Sequence, residues 1–335
     1  MKRLLRHWLT ALAALAVLAG RAGEPGPRPP AFEYFGTCGA SAGAFLDETH
    51  FVMANDEDCV LRVYRLGQAQ PVAARDVSGF LQLDRQRPEV DLEAAARAGD
   101  LVWWLGSHSR TAAGRLAPNR HRLFAMRIVP AAAPGTAPGL EPHGLPCTRL
   151  LEDLLAAPTL RALPLAAAAC RAPEEPGGLN LEGLAAAPDG RLWIGFRNPV
   201  IEGRALLVPL ENPDAAWRGE PVQAGEPAQL DLGGLGVRDL LWAGGRCWVL
   251  AGPAEGGGNF RLLVWSGPGT PAREVPTRFP RRFRPEGLLG HPHRSPAEFF
   301  VLSDDGSLRL GECECRDLPD PAQRRFRAAW VSAER

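Results

Sequence analysis

The stretch LNLEGLAAAPDGRLWIGFRNP, residues 179–199, has the pattern of a β-hairpin. The Pro-Asp-Gly segment at 188–190 favours a tight turn, because proline presets φ and glycine accepts positive φ. The apolar run after the turn suits a largely buried strand. The start of the first strand and the end of the second lie at the same end of an antiparallel pair, so Glu182 is expected beside Arg197 and Asn198.

The same pattern recurs along the chain. Counted from an aligned glycine position, its copies lie at about residues 43, 94, 183, 240 and 287. Most intervals are close to the roughly 50 residues of a four-stranded propeller blade. The early FEYFGTC and the terminal FRAAWVS are expected to complete one blade jointly and so close the ring. We therefore predict an all-β fold: a single β-propeller with five visible four-stranded blades, spanning residues 32–335.

The interval between the second and third copies is longer than the others and predicts one helical insert, at about residues 131–178. The segment TRLLEDLLAA places leucines at helical spacing behind Thr148, a suitable N-cap residue. A degenerate sixth blade within this insert stays an alternative. Cys147 and Cys170 flank the helical part, and we expect them to lie close enough for a disulfide.

The amino terminus has the features of a secretory signal. Basic residues precede an apolar run at 8–19, which is too short to span a bilayer and is followed by small residues. We predict a signal peptide at residues 1–22, a Pro-rich spacer at 23–31, and an exported protein that is periplasmic or secreted. No later segment is long and apolar enough for a membrane helix.

The composition limits the kinds of partner. Lys+Arg and Asp+Glu both number 38, so the formal net charge is zero and no global field favours nucleic acid. We expect a monomer that binds a small molecule, binds no nucleic acid and has no membrane span.

Repeating the hairpin geometry around a ring brings polar side chains to one end of the central channel. A concave, charged opening of this kind is where a propeller would hold a ligand. One acid per copy is a candidate metal ligand: Glu93, Glu182, Asp239 and Glu286. Side chains near the ends of the second strands are candidate ligand-binding residues: Asn55, Asp56, Arg110, Arg197, Asn198, Asp304 and Asp305. His108 is a candidate general base.

Three interpretations of the repeated acids stay open. The acids can pair with backbone amides or with arginines and so tie the blades together, since buried acids are seldom tolerated without a partner. The candidate arginines are Arg110, Arg197, Arg238 and Arg284. They can instead hold a hard divalent cation such as Ca²⁺, which prefers oxygen ligands. Finally, the opening can bind an anionic or sugar-like molecule without any metal.

Several strings resemble a bacterial family of exported, propeller-like proteins that is described as a domain of unknown function. These strings are DLEAAARAGDLVWWLGSHSR, RHRLFAMRI, LNLEGLAAAPDGRLWIGFRNP, DLGGLGVRDLLWAGGRCWVLAGP and VLSDDG. The resemblance spans about residues 34–328. It implies a β-propeller, and it brings no established activity.

The chain is also distantly similar to the esterase-like domain found with some phytases and to gluconolactonase-type propellers. In the latter, a Glu-Gly pair that opens an inner strand supplies a metal-binding Glu. The resemblance implies this role for Glu182 and Glu286, which both precede a glycine. Glu93 and Asp239 depart from the pair, because the residue after each is not glycine.

Two functional classes follow from these observations. In the first, the channel opening binds a small ligand, directly or through a divalent cation, and hydrolyses an ester, lactone or phosphoester. Glu182 and Glu286 would then be metal ligands and His108 the base. In the second, the protein is a non-catalytic binding or scaffold propeller whose rim charges are structural salt bridges.

Overall fold

The computed structural model of the protein describes residues 28–84 and 89–333. Within these residues the chain forms five four-stranded antiparallel sheets, which are the blades of a β-propeller. The predicted signal peptide and residues 23–27 of the predicted spacer lie outside the described residues.

The strands of each complete blade follow one another in chain order. β1 (Phe32–Phe35) belongs to the blade that closes the ring. The first blade contains β2 (Ala42–Phe45), β3 (His50–Ala54), β4 (Val60–Arg65) and β5 (Ala73–Asp76). The second contains β6 (Leu92–Ala98), β7 (Leu101–Gly106), β8 (Leu123–Val129) and β9 (Gly139–Cys147). The third contains β10 (Asn180–Ala186), β11 (Leu192–Ile201), β12 (Arg204–Leu210) and β13 (Ala228–Asp231). The fourth contains β14 (Gly236–Ala243), β15 (Arg246–Gly252), β16 (Arg261–Trp265) and β17 (Arg273–Val275).

The fifth blade is built from both ends of the described chain. It contains β18 (Pro285–Gly290), β19 (Glu298–Ser303), β22 (Arg325–Ser332) and, at its edge, β1. Between β19 and β22 the chain forms a small hairpin from β20 (Arg309–Leu310) and β21 (Cys313–Glu314). The predicted closure of the ring by FEYFGTC and FRAAWVS is therefore confirmed, since Phe32 pairs with Ala328.

The first strands of the blades surround the central channel. β2, β6, β10, β14 and β18 contact one another in that order, and β18 returns to contact β2. Small residues allow this close approach. A Cβ added to Gly183 would lie 2.7 Å from Cγ1 of Val237 in the next inner strand. Larger side chains at such positions would push neighbouring blades apart.

The core consists of layers between neighbouring blades. Alternate residues of a strand point to opposite faces of its sheet, so each blade buries both faces. In β11, Ile194 packs towards the second blade, whereas Trp193 packs towards the fourth. This burial on both faces explains why the strand sequence LWIGF is apolar throughout instead of alternating with polar residues.

Short helices lie in the segments that connect the strands of the ring. α1 (Leu150–Ala156) and α2 (Leu165–Ala168) lie in the long interval between the second and third blades, and α3 (Asp214–Arg218) lies between β12 and β13. Single 3₁₀ turns occur at Pro118–Arg120, Pro158–Leu160, Cys315–Asp317 and Pro321–Gln323. The predicted fold class, with five blades and one helical insert, is confirmed. No helix among the described residues is long and apolar enough to cross a membrane.

One disulfide joins segments that are far apart in the sequence. Cys38 and Cys315 are bonded, with their Cα atoms 5.8 Å apart. The expected Cys147–Cys170 bridge is wrong, because both thiols are free. Cys147 ends β9 and packs in the core between the second and third blades, whereas Cys170 follows α2 and is exposed. A disulfide is typical of an oxidising, exported compartment.

Candidate functional site

Four inner strands carry an irregularity near the same end of the channel. In β6, β10, β14 and β18 the pairing with the next strand is interrupted at one residue. These residues are Glu93, Glu182, Arg238 and Glu286. A bulge turns a side chain away from the regular alternation between the two faces of a sheet. All four side chains line one cavity.

This cavity has a volume of about 800 Å³ and opens at one end of the channel. We call it the channel mouth. Its charged lining consists of Asp56, Glu93, Glu174, Glu182, Arg197, Arg238, Arg282, Arg284, Glu286, Asp304, Asp305, Arg309 and Arg316. The opposite ends of the inner strands surround a smaller cavity of about 500 Å³ that is lined mainly by small and apolar residues. The charge is therefore concentrated at one end.

A network of ion pairs crosses three blades at the floor of the mouth. Arg197 Nη1 donates to Oε1 of Glu182 at 3.0 Å, and Arg238 Nε lies 3.0 Å from Oε2 of the same carboxylate. Arg238 also pairs through Nη2 with Glu286, and Asn180 donates to Glu182 at 2.8 Å. The side chains of Glu182 and Arg238 are only 3% and 8% exposed. Both oxygens of Glu182 are therefore occupied by the protein itself.

Three other carboxylates in the mouth lack a cationic partner among the described residues: Glu93, Asp56 and Asp304. Burial, followed by the charges of Glu182 and Asp91, raises the pKa of Glu93 well above its usual value. Burial, with the charge of Asp304 as the next cause, raises the pKa of Asp56 from 3.8 to about 7. The charge of Arg238 acts in the opposite direction on Glu93 but is smaller than these causes, so burial and repulsion between like charges dominate on this side of the mouth.

Asp56 and Asp304 approach the same point of the backbone. A Cβ added to Gly39 would lie 2.8 Å from Oδ1 of Asp56 and 3.2 Å from Oδ1 of Asp304. Gly39 forms an isolated bridge with Asp304, and the Asp304 Oδ1 also accepts a hydrogen bond from the amide of Gly306. The missing side chain at Gly39 gives these two carboxylates room beside each other.

The structure places Asp239 away from the mouth, contrary to the expected equivalence with the other acids. The bulge in β14 falls on Arg238, one residue earlier, so Asp239 takes a regular position opposite Leu250. Its Oδ2 accepts a hydrogen bond from the amide of Leu288 in the next blade at 2.7 Å. Burial raises the pKa of Asp239 well above its usual value. Asp239 therefore ties two blades together.

Of the predicted ligand-binding residues, Asp56, Arg197, Asp304 and Asp305 line the mouth. Within the mouth, Asp305 is paired with Arg327 at 2.7 Å.

The remaining predicted ligand-binding residues hold loops in place. Asn55 donates to the hydroxyl of Thr37, and Arg110 donates to the carbonyls of Ala169 and Gly114. Asn198 donates to the carbonyls of Pro173 and Glu175. These three side chains do not line the mouth as the structure describes it over residues 28–84 and 89–333.

His108 also lies outside the lining of the mouth. Its ring stacks on His121 with the centroids 5.5 Å apart, and its Nδ1–H donates to the carbonyl of Gly106 at 2.8 Å. Burial, together with His121, lowers the pKa of His108 to about 3. A neutral, buried imidazole in this position does not reach a ligand in the channel mouth.

A family model described as "Protein of unknown function (DUF3616)" matches residues 39–123 and 149–276. The chain belongs to this family. No curated protein matches the chain. The chain is therefore a DUF3616 protein, and the description of this family names no activity.

Some solved structures align with most of this DUF3616 protein but share little sequence with it. A crystal structure of Myxococcus xanthus glutaminyl cyclase matches with 15% identity and a TM-score of 0.42, covering 92% of this chain and 99% of the other. A putative oxidoreductase (glucose dehydrogenase) from Thermus thermophilus matches with 17% identity and a TM-score of 0.42, covering 90% and 99%. Likenesses this distant say nothing about what this DUF3616 protein binds.

The residues of this DUF3616 mouth fit a metal ion poorly. The resemblance to gluconolactonase-type propellers implies Glu182 and Glu286 as ligands, yet arginines hold both carboxylates. Within residues 28–84 and 89–333, no group of three or more His, Cys, Asp or Glu side chains is arranged to hold a metal ion.

Sequence reasoning missed several residues of the mouth. The sequence suggests Arg238 only as a partner for acids, although it is the bulged residue of β14. A comparison of side-chain types could not reveal this, because Asp239 matches the repeated acid better than Arg238 does. Glu174 reaches the mouth from the insert, where it pairs with Arg197 at 3.1 Å. Arg309 and Arg316 come from the β20–β21 region, which has no counterpart in the repeat.

Proposed function

We propose that this protein binds a small polar molecule directly in the channel mouth. The single observation that carries the proposal is a cavity of about 800 Å³ in which Glu93, Asp56 and Asp304 have no cationic partner among the described residues. Buried polar groups are ordinarily satisfied within the protein. Charged groups that are left over and point into a cavity are therefore suited to contact a ligand.

The ion-pair network supports a distinction between acids with a structural role and acids that contact the ligand. Glu182, Arg197, Arg238 and Glu286 satisfy one another, and they hold three blades in a fixed relation at the floor of the mouth. A rigid floor keeps the unpaired carboxylates in place before a ligand arrives, and such preorganisation favours affinity. The structural and the ligand-binding interpretations of the acids thus apply to different side chains.

Binding through Ca²⁺ or another divalent cation stays a prediction of the sequence. The contacts of Glu182, Glu286 and Asp239 weigh against it, because arginines or backbone amides already use their oxygens. We therefore assign no step of ligand binding to a metal.

Hydrolysis of an ester, lactone or phosphoester is a second candidate function, and Asp56 is the residue that favours it. A general base works best when its pKa lies near the working pH. Burial and the charge of Asp304 raise the pKa of Asp56 to about 7. In this proposal Asp56 takes the role that the sequence suggested for His108. The test is turnover of p-nitrophenyl esters, with an Asp56→Asn variant expected to abolish it; turnover that survives the change contradicts the proposal.

The binding proposal is tested by filling the mouth. Gly257 lines the mouth, and a Cβ there would meet no atom within 4 Å. A Gly257→Trp variant should therefore occupy the mouth without straining the blades. Gly79 has equally open surroundings and lies outside the mouth, so Gly79→Trp is a matched control.

Isothermal titration is carried out with amines, carboxylates, phosphates and neutral sugars. We expect saturable binding of at least one class to the wild type and to Gly79→Trp, and none to Gly257→Trp. Absence of binding by every class, or binding that survives Gly257→Trp, would contradict the proposed function.

A further inference from the structure

We propose that the ligand of the channel mouth presents an organic cation, an amine or a guanidinium, to Glu93, Asp56 and Asp304. This inference rests on the proposed function and adds the chemical class of the ligand. It is carried by the position and the contacts of three carboxylates that come from three different blades.

The balance of charge in the mouth is uneven. On one side, Arg197 and Arg238 neutralise Glu182 and Glu286. On the other side, the loops after β3 and β19 bring Asp56 and Asp304 to the mouth, and the β6 bulge brings Glu93. The carboxyl groups without a cationic partner are therefore gathered at one place.

Glu93 is the central residue of this inference. The protein encloses it, and the surface that it keeps faces the cavity. Its carboxylate has neither a hydrogen bond nor an ion pair within the part of the chain that the structure describes. Removing a carboxylate from water without a partner is costly, so a cation brought by a ligand would be favourable here.

The spacing of the acids favours an organic cation over a metal ion. A metal ion needs several oxygens converging within about 2.0–2.6 Å of one point. Among the described residues no such cluster of acids exists. An ammonium or guanidinium group has three to five N–H donors that diverge. It can therefore donate to carboxylates on separate blades over N···O distances of about 2.7–2.9 Å.

The arginines at the rim suggest the competing class, an anionic ligand. Arg282 and Arg284 line the mouth without a side-chain partner among the described residues. Both are exposed, however, and water and salt screen exposed charges strongly. The unpaired groups in the less accessible part of the mouth are carboxyl groups, and it is this part that favours a cation.

The test uses agmatine, which carries an amine and a guanidinium, and citrate, which carries only carboxylates. Both are titrated into the wild type, Glu93→Gln and the matched control Glu202→Gln, which changes an exposed turn between β11 and β12. We expect agmatine to bind the wild type and Glu202→Gln, and Glu93→Gln to weaken binding by about tenfold or more, as for loss of a charge-assisted hydrogen bond. Asp56→Asn provides a second variant with the same expectation.

The outcomes separate the two proposals. If citrate or a neutral sugar binds in a manner that Gly257→Trp abolishes, while agmatine does not bind, the mouth is a binding site and the inference about the cation is wrong. Agmatine binding that is unchanged in Glu93→Gln and Asp56→Asn also overturns the inference. If no member of the panel binds, the proposed function itself falls.

Discussion

A Glu182→Gln substitution should destabilise the protein because it removes the charge at the centre of a buried ion-pair network. Breaking a buried ion pair by removing one partner typically costs about 3–5 kcal/mol. Arg197 would keep Glu174, whose side chain is 64% exposed, and Arg238 would keep Glu286. Since both guanidiniums retain one carboxylate, we expect a cost near the lower end, about 3 kcal/mol.

The assay is urea unfolding followed by circular dichroism, with thermal unfolding as a second measurement. At about 2 °C per kcal/mol for a chain of this size, Tm should fall by roughly 6 °C. Because the partners of Glu182 are arginines, the loss should be the same with EDTA and with millimolar CaCl₂. The exposed Glu202→Gln variant is the control and should change stability by less than about 0.5 kcal/mol. A loss seen only with calcium present, or a loss below about 1 kcal/mol, would refute the assignment of Glu182 to a salt-bridged network.

Three further outcomes follow from the structure. Cys315→Ser opens a disulfide that spans a sequence separation of 277 residues and should cost about 2–5 kcal/mol, whereas Cys313→Ser should leave unfolding in urea unchanged; equal effects of the two changes would contradict this. Asp239→Ala deprives two backbone amides of their acceptor and should cost about 2–4 kcal/mol in the same assay; a neutral effect would exclude the inter-blade tie. Asp56 binds its proton up to about pH 7 when folded but only to about pH 4 when unfolded, so it should lower stability as pH rises through that window. Asp56→Asn should flatten the curve of Tm against pH between 4 and 8, and an unchanged slope would contradict the raised pKa.

The fold could be predicted from the sequence because its determinants are local and repeated. Each blade needs a turn, a small-residue inner strand and an apolar second strand, and these features give a pattern that recurs along the sequence. Burial on both faces explains apolar runs such as Leu192–Phe196 without reference to distant residues. Closure of the ring by both ends of the described chain could be predicted from the same repeat pattern. The strands at each end are too few for a complete blade, and together they form the fifth one.

The strand β9 was harder to predict because of its composition. The segment Gly139–Cys147 contains two prolines, which is typical of a loop, so the sequence pattern assigns it to the insert. β9 is the outermost strand of its blade, and an edge strand tolerates proline because one row of its amides has no partner strand.

The candidate site could be predicted only in part, since it depends on register and on contacts between distant segments. A bulge of one residue decides whether Arg238 or Asp239 faces the mouth, and nothing in the local pattern of β14 distinguishes the two. The pairing of Cys38 with Cys315 likewise depends on where the β20–β21 hairpin folds back. Side-chain positions that depend on contacts between distant segments can therefore be read from the structure but not from the local sequence pattern.

The charge asymmetry of the mouth arises because the repeats are not identical. If every inner strand carried an acid at its bulge, the carboxylates would repel one another around the axis and each would tend to stay protonated. Arg238 stands at one of these bulges, and together with Arg197 from a second strand it forms ion pairs with the inner-strand carboxylates Glu182 and Glu286. Glu93, on the far side of Glu182, receives no such partner among the described residues, and neither does Asp56. The proposed ligand site therefore lies where these ion pairs end, at the mouth side of the first, second and fifth blades.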